Sequence, residues 1–273
     1  MNILITGASG FIGSLFFESL RGKNLNIVGT VFNGNVNSDI YNYKYIDLSN
    51  RIEVRNFLKD NKFDIVFHFA AYISPKLNAE NAEKAYLYNV GITKNIVDSL
   101  NQDCHIVFLS TDKVFDGSID FPDENTPVSP CCLYGKLKCE SEEIIRKKLH
   151  KYHIFRLPIV HSSGNSNSSS FIDKSVINIL NEKPISIFSN VKRCFLRTDD
   201  LIKLLAVSIE NKCYGTYNIG IENMSYYDRL IQILSEEGIN YTDLVGKSIG
   251  NVNPISQNLN TNKASKEFGF EFS

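Results

Sequence analysis

The sequence predicts an α/β fold: a doubly wound parallel sheet with a smaller C-terminal lobe. Three observations predict it. Strand-length runs such as Ile3-Leu4-Ile5, residues 63–69 and residues 105–109 are near-continuously apolar rather than alternating, the pattern of strands buried on both faces. Segments with helical spacing separate these runs, giving repeated β-α-β order and right-handed crossovers. The first strand also leads directly into a glycine-spaced turn and a helix.

In order, residues 2–6 read as a strand, 11–21 as a helix, 26–32 as a strand and 51–60 as a helix. Residues 63–69 form a third strand, 84–100 a long helix, 105–109 a strand, 134–150 an amphipathic helix and 153–157 a further strand. The later half is less regular. Residues 161–170 (HSSGNSNSSS) read as a polar loop over the substrate. Helices are expected over 171–180 and 198–210, the second with an Asp-rich start, and strands over 185–188 and 217–220. The expected organisation is a nucleotide-binding domain over 1–158, with segments near 195–220 returning to it. Residues 159–273 are mainly a substrate-binding lobe.

Composition excludes several classes. With 29 basic and 30 acidic residues the net charge is −1, which gives no field for a nucleic-acid partner. No apolar run approaches the ~20 residues that span a bilayer. The six cysteines, Cys104, Cys131, Cys132, Cys139, Cys194 and Cys213, show no metal-ligand spacing. No metal is expected. Met1 leads within a residue into a core strand, without a signal peptide. The expectation is therefore a reduced, cytoplasmic protein.

Residues 2–13 read NILITGASGFIG. Gly7 permits the tight strand-to-helix turn, Gly10 lets backbone approach a pyrophosphate, and Gly13 lets the helix pack closely. The pyrophosphate sits on N–H groups at the helix start. The spacing G-x-x-G-x-x-G in this context points to a dinucleotide-binding, Rossmann-type sheet. The second strand ends Val31-Phe32-Asn33, without an acid for a ribose 2′-hydroxyl or an Arg for a 2′-phosphate. Asn33 can hydrogen-bond either, and NADP(H) is preferred narrowly over NAD(H). Asp47 reads equally as an adenine contact or as a helix N-cap. The residues assigned to the cofactor are Gly7, Ser9, Gly10, Phe11, Ile12 and Gly13, then Asn33, Asp47 and Leu48.

The strand over 105–109 delivers Ser110-Thr111 at its carboxyl end, where open α/β sheets bind ligands. Tyr134 and Lys138 follow, i and i+4 on one helix face. This set suits carbonyl reduction. As hydride reaches the carbonyl carbon, the oxygen needs a proton, which Tyr134 supplies. The ammonium of Lys138 is expected to lower the phenol's pKa toward working pH, and Thr111 to hold the carbonyl oxygen. Tyr134 and Lys138 also meet the cofactor.

On these motifs the chain resembles the extended short-chain dehydrogenases/reductases. Within them it is most similar to the dTDP-4-dehydrorhamnose reductases and kindred nucleotide-sugar 4-ketoreductases. The similar stretches are residues 7–13 (GASGFIG), Asp47-Leu48, 63–72 (FDIVFHFAAY), Asn89-Val90, 110–117 (STDKVFDG), 134–140 (YGKLKCE), Asn253-Pro254 and 259–263 (LNTNK). The resemblance implies a nucleotide-sugar substrate, and a homodimer is the common arrangement of such enzymes. It implies that Ala70 and Ala71 line the cofactor cleft and that Asn89 lies on the helix behind it. Asp112 and Lys113 fall beside the substrate, and Arg156 at the mouth of the sugar site. Relatives usually carry an aromatic where Lys113 stands, so sugar preference is expected to differ. Nucleotide-sugar 4,6-dehydratases use an Asp-Glu pair directly after the Thr. Here Asp112 is followed by Lys113, which does not replace that carboxylate, so dehydration is disfavoured.

Arg193 and Arg197 read as a clamp on a substrate diphosphate or as solvated arginines. His68 reads as a core histidine, His161 as a surface one, and residues 140–143 (ESEE) as a charged helix face. The expected reaction is reduction of a 4-keto group on a nucleotide-linked 6-deoxysugar. Two alternatives remain: a 4-epimerase retaining NAD, and a non-catalytic dinucleotide-binding subunit, as a regulatory subunit of methionine adenosyltransferase is.

Overall fold

The computed structural model describes residues 1–32, 42–73, 79–162, 170–221, 223–252 and 256–269. Asn33, most of the Ser-rich loop and Asn253-Pro254 lie outside the described residues. The chain begins β1 (Asn2–Thr6), α1 (Phe11–Ser19), β2 (Asn26–Val31), β3 (Tyr43–Tyr45), α2 (Arg51–Asp60) and β4 (Ile65–His68). It continues α3 (Ala82–Tyr86), α4 (Ile92–Ser99), β5 (His105–Thr111), α5 (Leu133–Lys148), β6 (Tyr152–Leu157) and β7 (Ile159–His161). After these come α6 (Phe171–Leu180), β8 (Ile185–Phe188), β9 (Lys192–Arg193), β10 (Phe195–Arg197), α7 (Thr198–Val207) and β11 (Gly215–Asn218). The last elements are β12 (Met224–Ser225), α8 (Tyr226–Glu236), β13 (Val245–Ser248), β14 (Ser256–Gln257) and α9 (Asn262–Phe268).

Seven strands form the main sheet in the order β11-β6-β5-β4-β1-β2-β3, parallel along β5-β4-β1-β2-β3. The apolar runs explain it. Ile3, Leu4 and Ile5 are at most 1% exposed and all four residues of β4 are buried, so these strands have helices on both faces. Alternate residues serve opposite faces. Leu4, Val66 and Phe108 share a core with Val54 of α2, Ile96 of α4 and Ile145 of α5. Phe67 meets Phe16 of α1 with ring centroids 4.5 Å apart. Each such side chain contributes about 2 kcal/mol of transfer free energy. Strand order reverses between β1 and β4, and a crevice opens there at the carboxyl ends.

The chain divides into two compact units. One comprises Met1–Val114, Val128–Arg156 and Ile202–Tyr217; the other comprises Phe115–Pro127, Leu157–Leu201 and Asn218–Ser273. Residues 115–127, which the sequence reading kept in the first domain, thus cluster with the second unit. The returning segment is 202–217 rather than 195–220. The second unit has its own core, in which Ile172, Val176 and Ile179 of α6 meet Leu230, Ile233 and Leu234 of α8. Helix α8 was not read from the sequence, although Ser225 caps it by accepting from Asp228 N at 3.0 Å. The three-residue edge strand β3 also went unread. The helix expected over 84–100 is interrupted by a π-turn at Leu87–Gly91.

Three histidines are buried in the neutral form. His68 sits between Thr6 Oγ1 (2.8 Å) and Thr93 Oγ1 (3.0 Å), and His105 Nε2 lies 2.9 Å from His153 Nδ1. His161, read as a surface residue, is 0% exposed, its Nε2 accepting from Arg229 Nε and Nη2 at 3.0 and 2.9 Å. Burial, aided by Lys138, His153 and Arg229 respectively, pushes each down to about 3. A histidine whose pKa falls on folding leaves stability intact above its unfolded value of about 6.5 and removes it as pH drops below. Three such groups predict a loss of about 4 kcal/mol between about pH 7.5 and about pH 5.5. Urea unfolding across that window checks it, and a flat stability would refute neutral burial.

Candidate active site

The first half of the site is the crevice between β1 and β4. Gly7 has φ +67°, and a Cβ there would lie 2.8 Å from Ala70 N; a Cβ at Gly13 would lie 2.2 Å from Gly7 O. The turn is held by Gly10 N donating to Gly7 O at 2.9 Å. Gly10 then stands as N-cap of α1, whose first turn (Phe11, Ile12, Gly13) holds no acid. Its N–H groups and helix dipole suit an anion.

A cleft of about 420 Å³ opens here, lined by Gly7, Ser9, Gly10, Asp47, Leu48, Ala70 and Ala71 among the residues assigned to the cofactor. Phe11, Ile12 and Gly13 build the helix start beside it and are not in its lining. The same wall contains residues that sequence reasoning missed, namely Phe32, Phe69, Tyr72, Lys84, Tyr88 and Ile92. A dinucleotide fits this lining: crowded glycines leave backbone bare for a pyrophosphate, apolar walls flank a base, and Lys84 adds a cation. Asp47 is no helix cap. Its Oδ1 accepts from Ser49 N (2.9 Å) and Ser49 Oγ (2.6 Å), while Asn50 caps α2.

The π-turn at Leu87–Gly91 shapes the same wall. Buried Asn89 donates from Nδ2 to Ala85 O (2.8 Å) and to Tyr72 O (3.0 Å), tying the helix to the loop after β4. The signal for this residue was its place in the resemblance, not any periodicity. Such one-turn widenings recur at functional sites.

The second half lies at the end of β5. Thr111, 7% exposed, donates from Oγ1 to Asp112 Oδ1 at 3.1 Å and accepts from Lys113 N at 3.3 Å. The turn Asp112–Val114 packs on the start of α5, where a Cβ at Gly135 would lie 2.1 Å from Lys113 O. Half-buried Tyr134 opens that helix. One turn on, Lys138 is 4% exposed. Its Nζ donates to Leu109 O at 2.8 Å and stands 4.4 Å from the Phe108 ring centroid and 5.8 Å from that of Tyr134.

The electrostatics differ from the expectation for Tyr134. Burial, then the charge of Asp112, raises its pKa well above the usual phenol value. The ammonium of Lys138, bonded to Leu109 O, does not reverse this. Burial instead lowers Lys138 to about 7, against the opposing charge of Glu142.

Glu142 corrects the reading of residues 140–143 as an exposed face. It is 0% exposed and accepts from Ser110 Oγ (2.5 Å), from Arg156 Nε (3.2 Å) and Nη2 (2.9 Å), and from Arg146 Nη1 (2.9 Å). Burial opposes its charge, yet the Arg156 bonds, with those of Ser110 and Arg146, hold the carboxyl below the ordinary range. Arg156 is correspondingly not at the mouth of a sugar site. It lies within β6, 3% exposed, in an ion pair with Glu142.

In the second unit, Arg193 is 6% exposed, donates to Lys192 O at 2.6 Å, and lines a cavity of about 160 Å³ with Phe171, Phe188 and Tyr226. It is not a solvated arginine. Arg197 pairs with Glu236 at 2.8 Å, which takes it out of the phosphate-clamp reading. Among the described residues no His/Cys/Asp/Glu group could hold a metal, and no helix is long and apolar enough to cross a membrane.

A crevice that fits a dinucleotide and, in the same compact unit, a helix carrying Tyr-x-x-x-Lys are the features of an NAD(P)-dependent, oxidoreductase-type enzyme. Thr111, Tyr134 and Lys138 are not in the lining of the crevice. The chain belongs to the NAD dependent epimerase/dehydratase family, whose model matches residues 3–220. Methionine adenosyltransferase 2 subunit beta of Xenopus tropicalis is 25% identical over 170 residues, 62% of this chain, which spans half of that relative's length. The spore coat polysaccharide biosynthesis protein SpsK of Bacillus subtilis is 25% identical over 240 residues, 87% of this chain and 80% of its own. A crystal structure of a dTDP-4-dehydrorhamnose reductase from Clostridium acetobutylicum superposes with TM-score 0.80 at 25% identity, covering 96% of this chain and 91% of that one.

The Gly135 contact yields a prediction. Gly135→Ala drives a methyl against the Lys113 carbonyl and forces the Asp112–Val114 turn away from α5. We expect a loss of about 1–3 kcal/mol, typical of overpacking, measured by denaturant unfolding. Unaltered stability would contradict the close approach.

Proposed function

We propose that the chain is an NAD(P)H-dependent reductase of the 4-keto group of a nucleotide-activated 6-deoxysugar. The observation that carries the reading is the set of Thr111 at the carboxyl end of β5 with Tyr134 and Lys138 one turn apart on α5, with Lys113 where a dehydratase needs a carboxylate. When bound, the reduced nicotinamide supplies the hydride. Tyr134 gives its phenolic proton to the carbonyl oxygen as that oxygen gains charge. Thr111 turns its hydroxyl from Asp112 to the same oxygen, and Lys138 faces the phenolate left behind. Solvent restores the proton.

NADP(H) is the preferred cofactor in this reading. The end of β2 carries Phe32 rather than an acid, which would hold a 2′-hydroxyl and repel a 2′-phosphate, and Lys84 lines the cleft. The nucleotide sugar and a homodimeric state belong to the same proposal.

The similarity to methionine adenosyltransferase 2 subunit beta favours a second reading, a dinucleotide-binding subunit without turnover. Purified protein with NADPH or NADH and dTDP-4-keto-6-deoxyglucose separates the two. The reductase consumes reduced cofactor, NADPH faster, and Tyr134→Phe slows this by about 10²–10⁴-fold while cofactor binding persists. Tight cofactor binding with no consumption across a panel of 4-keto sugars would overturn the first reading in favour of the second.

A further inference from the structure

One wall of the cofactor cleft carries Lys84 of α3, Tyr88 of the π-turn and Ile92 of α4, at i, i+4 and i+8. Tyr88 meets Phe32, the residue that follows β2, with ring centroids 5.8 Å apart. In dinucleotide-binding sheets the end of that strand is where the ribose 2′ group comes, while the pyrophosphate lies at the helix start after β1. The Phe32–Tyr88 contact therefore brings the helix face that bears Lys84 to the ribose end of the cleft.

We infer that Lys84 is the specificity-determining residue for the cofactor, receiving the 2′-phosphate of NADP(H). The inference rests on the proposed preference for NADP(H) and not on turnover. Among the described residues of the lining, Lys84 is the cation and Asp47 the carboxylate. Asp47 is engaged by Ser49 N and Oγ. Lys84 is exposed, its Nζ lies 5.2 Å from the Tyr72 ring centroid, and it makes no ion pair among the described residues. An ammonium set over a ring and left without a carboxylate is open to an anion from the cleft. Other cations near the end of β2 are worse placed. Lys44 of β3 is in register with Thr30 and is not in the lining. Residues 33–41, which follow Phe32, contain neither Lys nor Arg. The 2′-phosphate is thus read from the helix wall, and the side chain at the end of β2, Phe32, leaves it unopposed by charge.

The test is binding, measured by titration calorimetry on the full chain without substrate. The probes are NADPH, NADH, adenosine 2′,5′-bisphosphate and adenosine 5′-monophosphate. The unsubstituted chain is expected to bind NADPH more tightly than NADH. Lys84→Gln is expected to weaken NADPH and the bisphosphate by about 10–100-fold, the range of a hydrogen bond to a charged group. NADH and the monophosphate stay within about threefold, less than one hydrogen bond to a charged group, and their retained binding shows the cleft intact. Lys84→Arg keeps the preference, and Lys44→Gln leaves every constant unchanged. An equal loss for NADPH and NADH in Lys84→Gln gives the cation to the pyrophosphate that both share and overturns the inference. A preference that survives Lys84→Gln overturns it as well, and leaves the NADP(H) reading standing. Failure of that reading is a separate result, seen before any substitution as equal binding of NADPH and NADH, and it removes the inference with it.

Discussion

The seam between β5 and α5 is the constraint on which the rest of the site depends. It places a cation and an anion out of water, an arrangement that costs several kcal/mol per ion unless every bond is made. Here the bonds come mostly from strands: the Leu109 carbonyl takes Lys138, while Ser110 and Arg156, joined by Arg146 of the helix, serve Glu142. Arg156 comes from β6, the neighbour of β5 in the sheet. The helix is thereby keyed to two strands by directional bonds, where apolar packing alone would permit a slide. Gly135 completes the key, since its missing side chain lets the turn after β5 lie directly on the helix.

The cofactor side of the site uses a different economy. Its precision comes from crowding of main chain, not from charge. Gly7 and Gly13 bring the turn, the helix start and the Phe69–Ala71 segment so close that no side chain intrudes. The reversal of strand order between β1 and β4 provides the opening, and the π-turn around Asn89 directs Tyr88 and Ile92 to its wall. Both halves of the site belong to one compact unit, so the geometry that joins them is set within a single sheet.

Much of this was legible in the sequence because the signals were local. Apolar runs gave strands, a glycine spacing gave the turn, and i, i+4 placed Tyr134 and Lys138 together. What escaped reading depended on tertiary neighbours. Glu142 lies in a run, Glu-Ser-Glu-Glu, that resembles a solvated face. Its burial follows from Arg156, fourteen residues on in a strand, and no periodicity announces such a partner. The same holds for His161, whose burial rests on Arg229 of α8. The π-turn was invisible because one extra residue per turn leaves composition unchanged. Arg156 was misplaced for the opposite reason, since resemblance supplied a location that the ion pair with Glu142 denies.

The protonation pattern shows what the chain's own groups leave to a bound ligand. Burial and Asp112 both raise the Tyr134 pKa, which keeps the proton on the phenol and makes it a weaker acid than a free one. The groups that lower a phenol's pKa are weakly deployed here, for Lys138 Nζ donates to Leu109 O and burial works against its own charge. Acid-base work by a phenol needs a pKa nearer to working pH. In this site such a shift has to come from charge brought by a ligand or from a change in burial on binding, and the seam that fixes Lys138 on β5 is what keeps the ammonium from supplying it unaided.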